Sequence, residues 1–457
     1  MAHVPNSAEQ YEKMIGTPIP QLVSSLAIPT TISMLVTVIY NTADTYFVSQ
    51  INKSASAAVG MVYTLMAILQ AVGYGLGMGA GSLISRKLGE KDDDAAERYA
   101  VSAFVAAILA GAVVGWGCLA GLKPILHALK CTDTMLPYAV PYARRILLAA
   151  PVSCASFVLN NTLRAEGEST LAMWGLGLGG VLNIVLDPLF IFTLDMGAGG
   201  AALATVISQG LSCVWVICFL RGKKTLLRLK RENLLVSPKL ILPCVALGLA
   251  AFIMQSSESM ISVCFNSSLL RYGGDVAVGA MTILSSVMQF AMLPLQGIAQ
   301  GAQPISSYNY GARNADRVRQ TFRLLLRVCL VYSMVLWAGI MLFPRGFAGI
   351  FTPDAELLDF TARALRIYCA MLFLFGIQIA CQMTFVSIGN APCSIIVAIL
   401  RKFVLLIPLI FILPHILPDQ TMAVYTAEPA ADTLAVIFTM VMFGTQFKKA
   451  LKKLNEA

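Results

Sequence analysis

Charge is scarce in this sequence. Asp, Glu, Lys and Arg make up 12% of its 457 residues, against about 25% in soluble globular domains. Hydrophobic residues make up 57%, and mean hydropathy is +0.75. This excludes a soluble domain and implies a chain that crosses a membrane many times, as one large bundle or two fused halves. Histidine is nearly missing: His3, His127 and His415 lie far apart. The 11 cysteines have no CxxC spacing, and most fall inside apolar runs, as Cys118, Cys154, Cys213, Cys218, Cys264, Cys329 and Cys369 do. They read as small core residues, not as a disulfide framework or a metal site. No nucleophile–base pair, metal cluster or phosphate loop is visible, so neither an enzyme nor a cofactor is expected. The first twenty or so residues are polar and lack an apolar core, so no cleavable signal peptide is expected either.

What the sequence does have is apolar runs of about 20 residues or more, each a helix candidate. About twelve are expected, over 21–49, 57–84, 98–121, 137–163, 170–194, 198–220, 240–270, 276–302, 318–343, 358–386, 393–417 and 422–446. The formal net charge of +9 follows the breaks between these runs. If the N-terminus is cytoplasmic, the inside segments collect Arg86, Lys87, Lys91 and Arg98. They also collect Arg221, Lys223, Lys224, Arg228, Lys230, Arg231 and Lys239, then Arg313, Arg317, Arg319 and Arg323, and finally Lys448, Lys449, Lys452 and Lys453. The outside loops hold few, among them Lys53, Lys123, Lys130, Arg271 and Arg345. The positive-inside rule then puts both termini in the cytoplasm. The basic residues answer to lipid headgroups, and nucleic acid is not expected as a partner.

The chain repeats itself at one offset. Gly89 and Gly311 are 222 residues apart, and so are Gly167 and Gly389, Arg144 and Arg366, and Lys123 and Arg345. Each half holds six spans, an even number, so the halves share an orientation. That is a parallel repeat about an axis along the membrane normal. The expected fold is an all-α integral membrane protein of twelve transmembrane helices in two six-helix lobes. Residues 1–220 form the first lobe, 221–239 a basic cytoplasmic linker, and 240–457 the second lobe with its basic tail.

Polar residues inside the spans stand out, because a carboxylate there costs about 2.5–3.5 kcal/mol on insertion scales. Asn183 and Asp187 share one helix face, four residues apart, and Pro188 weakens the backbone ladder beside the acid. Tyr40 and Asp44 share a face of the first span, which Pro29 should bend. Asp44, Asp187, Thr205 and Tyr142 all fall in the outer half of the bilayer at similar depth. Together with Asn183 they can form one buried network. Desolvation disfavours a charged carboxylate and hydrogen bonds favour it, so such a network suits proton uptake on one side and release on the other. Weaker candidates are Asn160 and Asn161 at the inner end of span 4, and Glu258 in a serine-rich turn of span 7. Gln378 and Gln382 share a face of span 10. Arg401 and Lys402 in span 11 either snorkel or pair with a carboxylate such as Glu258. The 21 methionines are mostly packing, yet a cavity lined by Met and Tyr accepts varied apolar cations.

On these residues the sequence resembles the multidrug and toxic compound extrusion family. The likeness is carried by Pro29 with Tyr40-Asn-Thr-Ala-Asp44, the Gly89 and Gly311 loops, Arg164-Ala-Glu-Gly167, Asn183-Ile-Val-Leu-Asp187-Pro188, and Ala427-Glu-Pro-Ala-Ala-Asp432. It is nearest the prokaryotic DinF-like branch and covers nearly the whole chain. The resemblance implies a multidrug efflux antiporter in a prokaryotic cell membrane. It would expel amphipathic cations against an inward flow of protons or sodium, from a V-shaped cleft between two lobes. It implies a cation-coupling network of Asp44, Asn183, Asp187 and Thr205 with Tyr142. It also implies cleft-lining, substrate-binding roles for Tyr40 and Asn160, to which Asn183, Glu258 and Gln378 are added here. Sodium-linked members of another branch carry an acid in span 10, where this chain has Gln378 and Gln382, so coupling is expected through the N-terminal half. The expected partners are small cationic substrates and membrane lipids, and a monomer is expected. Two alternatives are a lipid-linked precursor flippase of the same superfamily and a receptor or scaffold that transports nothing. The buried acids argue against the first, and the repeat together with those acids against the second.

Overall fold

The computed structural model describes residues 7–222, 225–229 and 237–456. Lys223, Lys224, Lys230 and Arg231 of the expected linker lie outside the described residues, as does His3. The described chain is built of helices. A short helix α1 (Ser7–Gly16) precedes α2 (Ile19–Ser49), α3 (Lys53–Gly89) and α4 (Asp93–Ala120). After the short α5 (Leu122–Ala128), the fourth span is made of α6 (Leu136–Leu148) and α7 (Ala150–Glu166), with a 52° bend between them. The fifth is α8 (Ser169–Pro188), prolonged by a π turn (Leu189–Thr193), and the sixth is α9 (Gly197–Arg221).

The second half opens on α10 (Pro238–Gly311), long enough for two spans and broken by non-helical backbone at Gly274. Then come α11 (Ala315–Leu342), the short α12 (Pro344–Gly349), and a bent span of α13 (Ala355–Tyr368) and α14 (Phe375–Ser387), at 45°. The eleventh span is α15 (Ala391–Ile399), a π stretch (Leu400–Leu406) and α16 (Ile407–Ile412), and the last is α17 (Gln420–Glu456). The twelve expected spans are thus all present. Two are broken rather than straight, and helix continues through Pro29 of α2 without interruption. Large apolar side chains such as Val113, Val181, Val263, Val335 and Val441 are exposed along these helices, as lipid-facing positions should be.

The duplication is visible residue by residue. Helices α4 and α11 begin and end 222 residues apart. Each is capped by a side chain accepting from the backbone N–H three residues on, Asp92 from Ala95 and Asn314 from Arg317. Just before each cap the backbone turns left-handed, at Lys91 (φ 60°) and Arg313 (φ 57°). The same offset relates the left-handed Gly167 and Gly389 and the two bent spans. It also relates two buried hydrogen bonds, Ser85 Oγ to the Ala165 carbonyl (2.7 Å) and Ser307 Oγ to the Ser387 carbonyl (2.9 Å).

One buried core draws almost wholly on residues 14–229, and a second on residues 261–431. The hydrogen bonds joining the two halves gather at one end. Ser82 donates to the Val386 carbonyl (2.7 Å), Gln303 to Met78 (3.1 Å) and Gln300 to the Tyr74 hydroxyl (2.5 Å). At this end the repeat meets itself. Gly89 lies against the Tyr308 carbonyl and Gly311 against the Arg86 carbonyl, and neither position has room for a Cβ. Helix α1 lies across the same end. Its Gln10 donates to the Glu166 carbonyl (2.7 Å), while Arg317 donates to the carbonyls of Met14 (3.1 Å) and Thr17 (2.8 Å). The described part of the linker folds back here too, with the Leu226 N–H donating to the Glu166 carboxylate.

Candidate functional site

Two groups of polar side chains lie inside the bundle, one in each half, all of them buried except Glu258 of the second. The first is assembled from four helices. Close approach is possible because α8 carries Gly179 and Gly180 on its packed face. A Cβ on Gly179 would sit 2.9 Å from the Ser208 carbonyl of α9, and one on Gly180 only 2.7 Å from Val36 of α2. Asn183 and Asp187 follow one and two turns later, both completely buried. Past Pro188 the helix widens into its π turn, consistent with a ladder weakened by the missing N–H.

The structure brings all five members of the expected network into this region. Asp44 from α2, Tyr142 from α6 and Thr205 from α9 are buried beside Asn183 and Asp187. The Tyr142 hydroxyl donates to Asp44 Oδ2 at 3.2 Å. Asn183 Nδ2 donates to Thr205 Oγ1 at 3.2 Å, and that hydroxyl donates to the Ala201 carbonyl at 3.2 Å. Asp187 lies within electrostatic reach of Asp44 and of Tyr142. Four acceptor oxygens are buried here with no hydrogen-bond partner among the described residues: Asp44 Oδ1, Asn183 Oδ1, and both oxygens of Asp187. No Lys or Arg among the described residues pairs with either acid. Buried carboxylates of this kind are costly as bare anions, and a proton or a small cation relieves that cost. Tyr40 stands beside the group, half-buried, close to Gln209, Asp44 and Tyr63. Asn160 is also buried, but its amide donates to Ser156 of its own helix (2.8 Å), and no hydrogen bond ties it to the acids.

The second group is of the opposite kind. Arg401 Nε donates to Asp432 Oδ1 at 2.7 Å and its Nη2 to Glu428 Oε1 at 2.9 Å, and its guanidinium lies 4.7 Å above the centre of the Phe375 ring. Lys402 Nζ donates to Glu258 Oε1 at 2.5 Å. Adjacent residues of an α-helix point about 100° apart, so two neighbouring cations do not ordinarily face one interior. Here the π stretch Leu400–Leu406 changes the local turn, and Arg401 and Lys402 are both 4% exposed. The pairing of Lys402 with Glu258 was one of the two expected outcomes. The pairing of Arg401 with Glu428 and Asp432 was not foreseen. The signal was present: Glu428 and Asp432 are four residues apart, the spacing that marks Tyr40–Asp44 and Asn183–Asp187. Gln378 of α14 is buried with its carbonyl oxygen unpartnered, while Gln382 donates to Ser394 Oγ (2.8 Å) and ties α14 to α15.

Comparison with known proteins agrees with this architecture. The family model MatE matches residues 29–189 and again 249–412, once in each half. The multidrug export protein MepA of Staphylococcus aureus is 27% identical over 416 residues, covering 89% of each chain. Among solved structures, an outward-facing multidrug resistance MATE family transporter of the MOP superfamily superposes with a TM-score of 0.91. It is 26% identical, over 98% of this chain and 99% of that one. A MATE structure in the bent conformation gives a TM-score of 0.92 at 25% identity, over 99% of this chain and 100% of that one. With its twelve spans, its duplication and a family model matched in both halves, this chain belongs to the MatE family of multidrug export transporters.

Proposed function

We propose that the protein is an antiporter that exports amphipathic organic cations in exchange for inward protons or sodium ions. The observation that carries this reading is Asp187: wholly buried, within electrostatic reach of a second acid, with both carboxylate oxygens free of any partner among the described residues. A structural acid in such a place would be paired, because an unpaired buried charge is among the costliest features a fold can hold. A site that alternately binds and releases a cation has to be left open in this way.

In this reading residues 1–220 and 240–457 act as two lobes, joined through the basic linker 221–239, with both termini in the cytoplasm. The hydrogen bonds around Ser82, Gln300, Gln303 and Arg317 then close the cytoplasmic end, and the cleft opens to the outside. An incoming proton or sodium ion settles on Asp187 and Asp44. Tyr142 holds Asp44, and Thr205 holds Asn183, so the carbonyl of Asn183 is left as a further neutral acceptor. Neutralising the two acids removes the main attraction for an exported cation in this lobe, so the substrate leaves as the coupling ion enters. Tyr40, beside Asp44, offers the exported cation an aromatic face. Return to the other state requires the cytoplasmic contacts to part.

The test is export of a fluorescent lipophilic cation from proteoliposomes holding the purified protein, driven separately by a proton and by a sodium gradient. Export under either gradient supports the antiport reading and names the ion. No export under either, with the protein folded, refutes it and favours a narrower cargo such as a lipid.

A further inference from the structure

The second group has an asymmetry that the coupling reading does not use. It holds three carboxylates, Glu258, Glu428 and Asp432, and two cations, Arg401 and Lys402, so it carries one negative charge in excess. Arg401 is enclosed: it bonds two acids of α17 and is covered by Phe375. The other pair is open on one side. The Lys402 side chain is 5% exposed, yet that of its partner Glu258 is 61% exposed. A cation arriving from the exposed side meets the acid before it meets the lysine. Lys402 also has somewhere else to go. Glu428 lies within its electrostatic reach and keeps one buried oxygen, Oε2, without a partner.

We propose that Lys402 is a tethered stand-in for the exported cation, which takes its place on Glu258 while the ammonium transfers to Glu428 Oε2. The inference rests on the cation-export reading above. The exchange leaves no bare charge at any stage. Glu258 passes from one cation to another, and Lys402 passes from one carboxylate to another. Occupation of the cleft is thereby felt at α17, where Arg401 already holds Glu428 and Asp432. Lys402 sets which cargo is accepted: a guest has to compete with a primary ammonium, so neutral and anionic compounds gain nothing at Glu258. The open face of Glu258 favours guests whose apolar body can remain in the cleft.

The experiment is equilibrium binding of radiolabelled tetraphenylphosphonium to the purified full chain in detergent, without any ion gradient. A tethered competitor predicts that Lys402→Met tightens binding about five- to ten-fold, the size of a modest coupling between two sites. Lys402→Arg, which keeps the charge, should bind no more tightly than wild type. Glu258→Gln should weaken binding, and adding Lys402→Met to it should restore nothing. Glu428→Gln, which removes the second acceptor, should weaken binding only while Lys402 is present. Unchanged or weaker binding by Lys402→Met overturns the proposal. Should that variant fail to fold, Lys402→Gln and Glu428→Gln carry the same test. A wild type that binds no lipophilic cation overturns the export reading along with this one, whereas wild-type binding with unaltered Lys402 variants overturns this one alone.

Discussion

The two halves share one backbone plan and oppose each other in electrostatics. In the first, Asp44 and Asp187 are buried with no cationic partner among the described residues. In the second, Glu258, Glu428 and Asp432 are all bonded to Arg401 or Lys402. Duplication preserved caps, left-handed turns and broken spans at a spacing of 222 residues, but it did not preserve charge. Backbone features that set helix ends and close packing cannot drift without cost to the fold. A buried charge is tied only to its own partners, so each half can hold a different one.

Five substitutions would break or sharpen that contrast. The largest effect on stability is expected for Arg401→Met, which strands Glu428 and Asp432. Removing one partner from a buried ion pair costs about 3–5 kcal/mol. Thermal unfolding in detergent should show a large fall in Tm. Asp187→Asn, treated identically, should show none, since no ion pair is lost; equal falls would erase the distinction between the halves. Next come the glycines where the repeat meets itself. Gly89→Val and Gly311→Val each drive a side chain into a carbonyl, an overpacking cost of about 1–3 kcal/mol. The two should act alike, both loosening the end where the halves meet. Cysteine accessibility at Ser82 and Ser307, each replaced by Cys, would report it, and a large difference between the two glycines would contradict the symmetry. The smallest effect is expected for Arg317→Ala. It removes two hydrogen bonds to the backbone around α1 and one to Asn309, from a partly exposed side chain whose lost partners water can replace. Limited proteolysis should then release α1 first and leave the bundle intact.

Most of the fold could be read from the sequence because long apolar runs report span position directly. The landmarks at Gly89, Gly167, Gly311 and Gly389 reported the duplication. The first buried group was legible as well, since Asp187 and Asp44 stand out against apolar neighbours and the i,i+4 spacing puts Asn183 and Tyr40 on their faces. The break between α6 and α7 was not. An average over an apolar run is blind to a bend inside it, although Pro141 and Pro151 lie on either side. The π stretch at Leu400–Leu406 was equally hidden, because it depends on how neighbouring helices pack and not on local composition. The reach of Arg401 to Glu428 and Asp432 follows from the rotation of two separate helices about their axes. Spacing puts Glu428 and Asp432 on one face of α17 but does not say which residue of the neighbouring helix that face meets.

The most direct test of the central claim compares wild type with Asp187→Asn in proteoliposomes, measuring two activities on one preparation. One is uphill export of a lipophilic cation under the gradient that drives the wild type; the other is downhill exchange of the same cation with no gradient. If the unpaired acid couples ion entry to export, Asp187→Asn loses uphill export and retains downhill exchange. Uphill export at the wild-type rate by a folded Asp187→Asn protein would contradict the account, and coupling would then have to be sought at Glu258 and its partners.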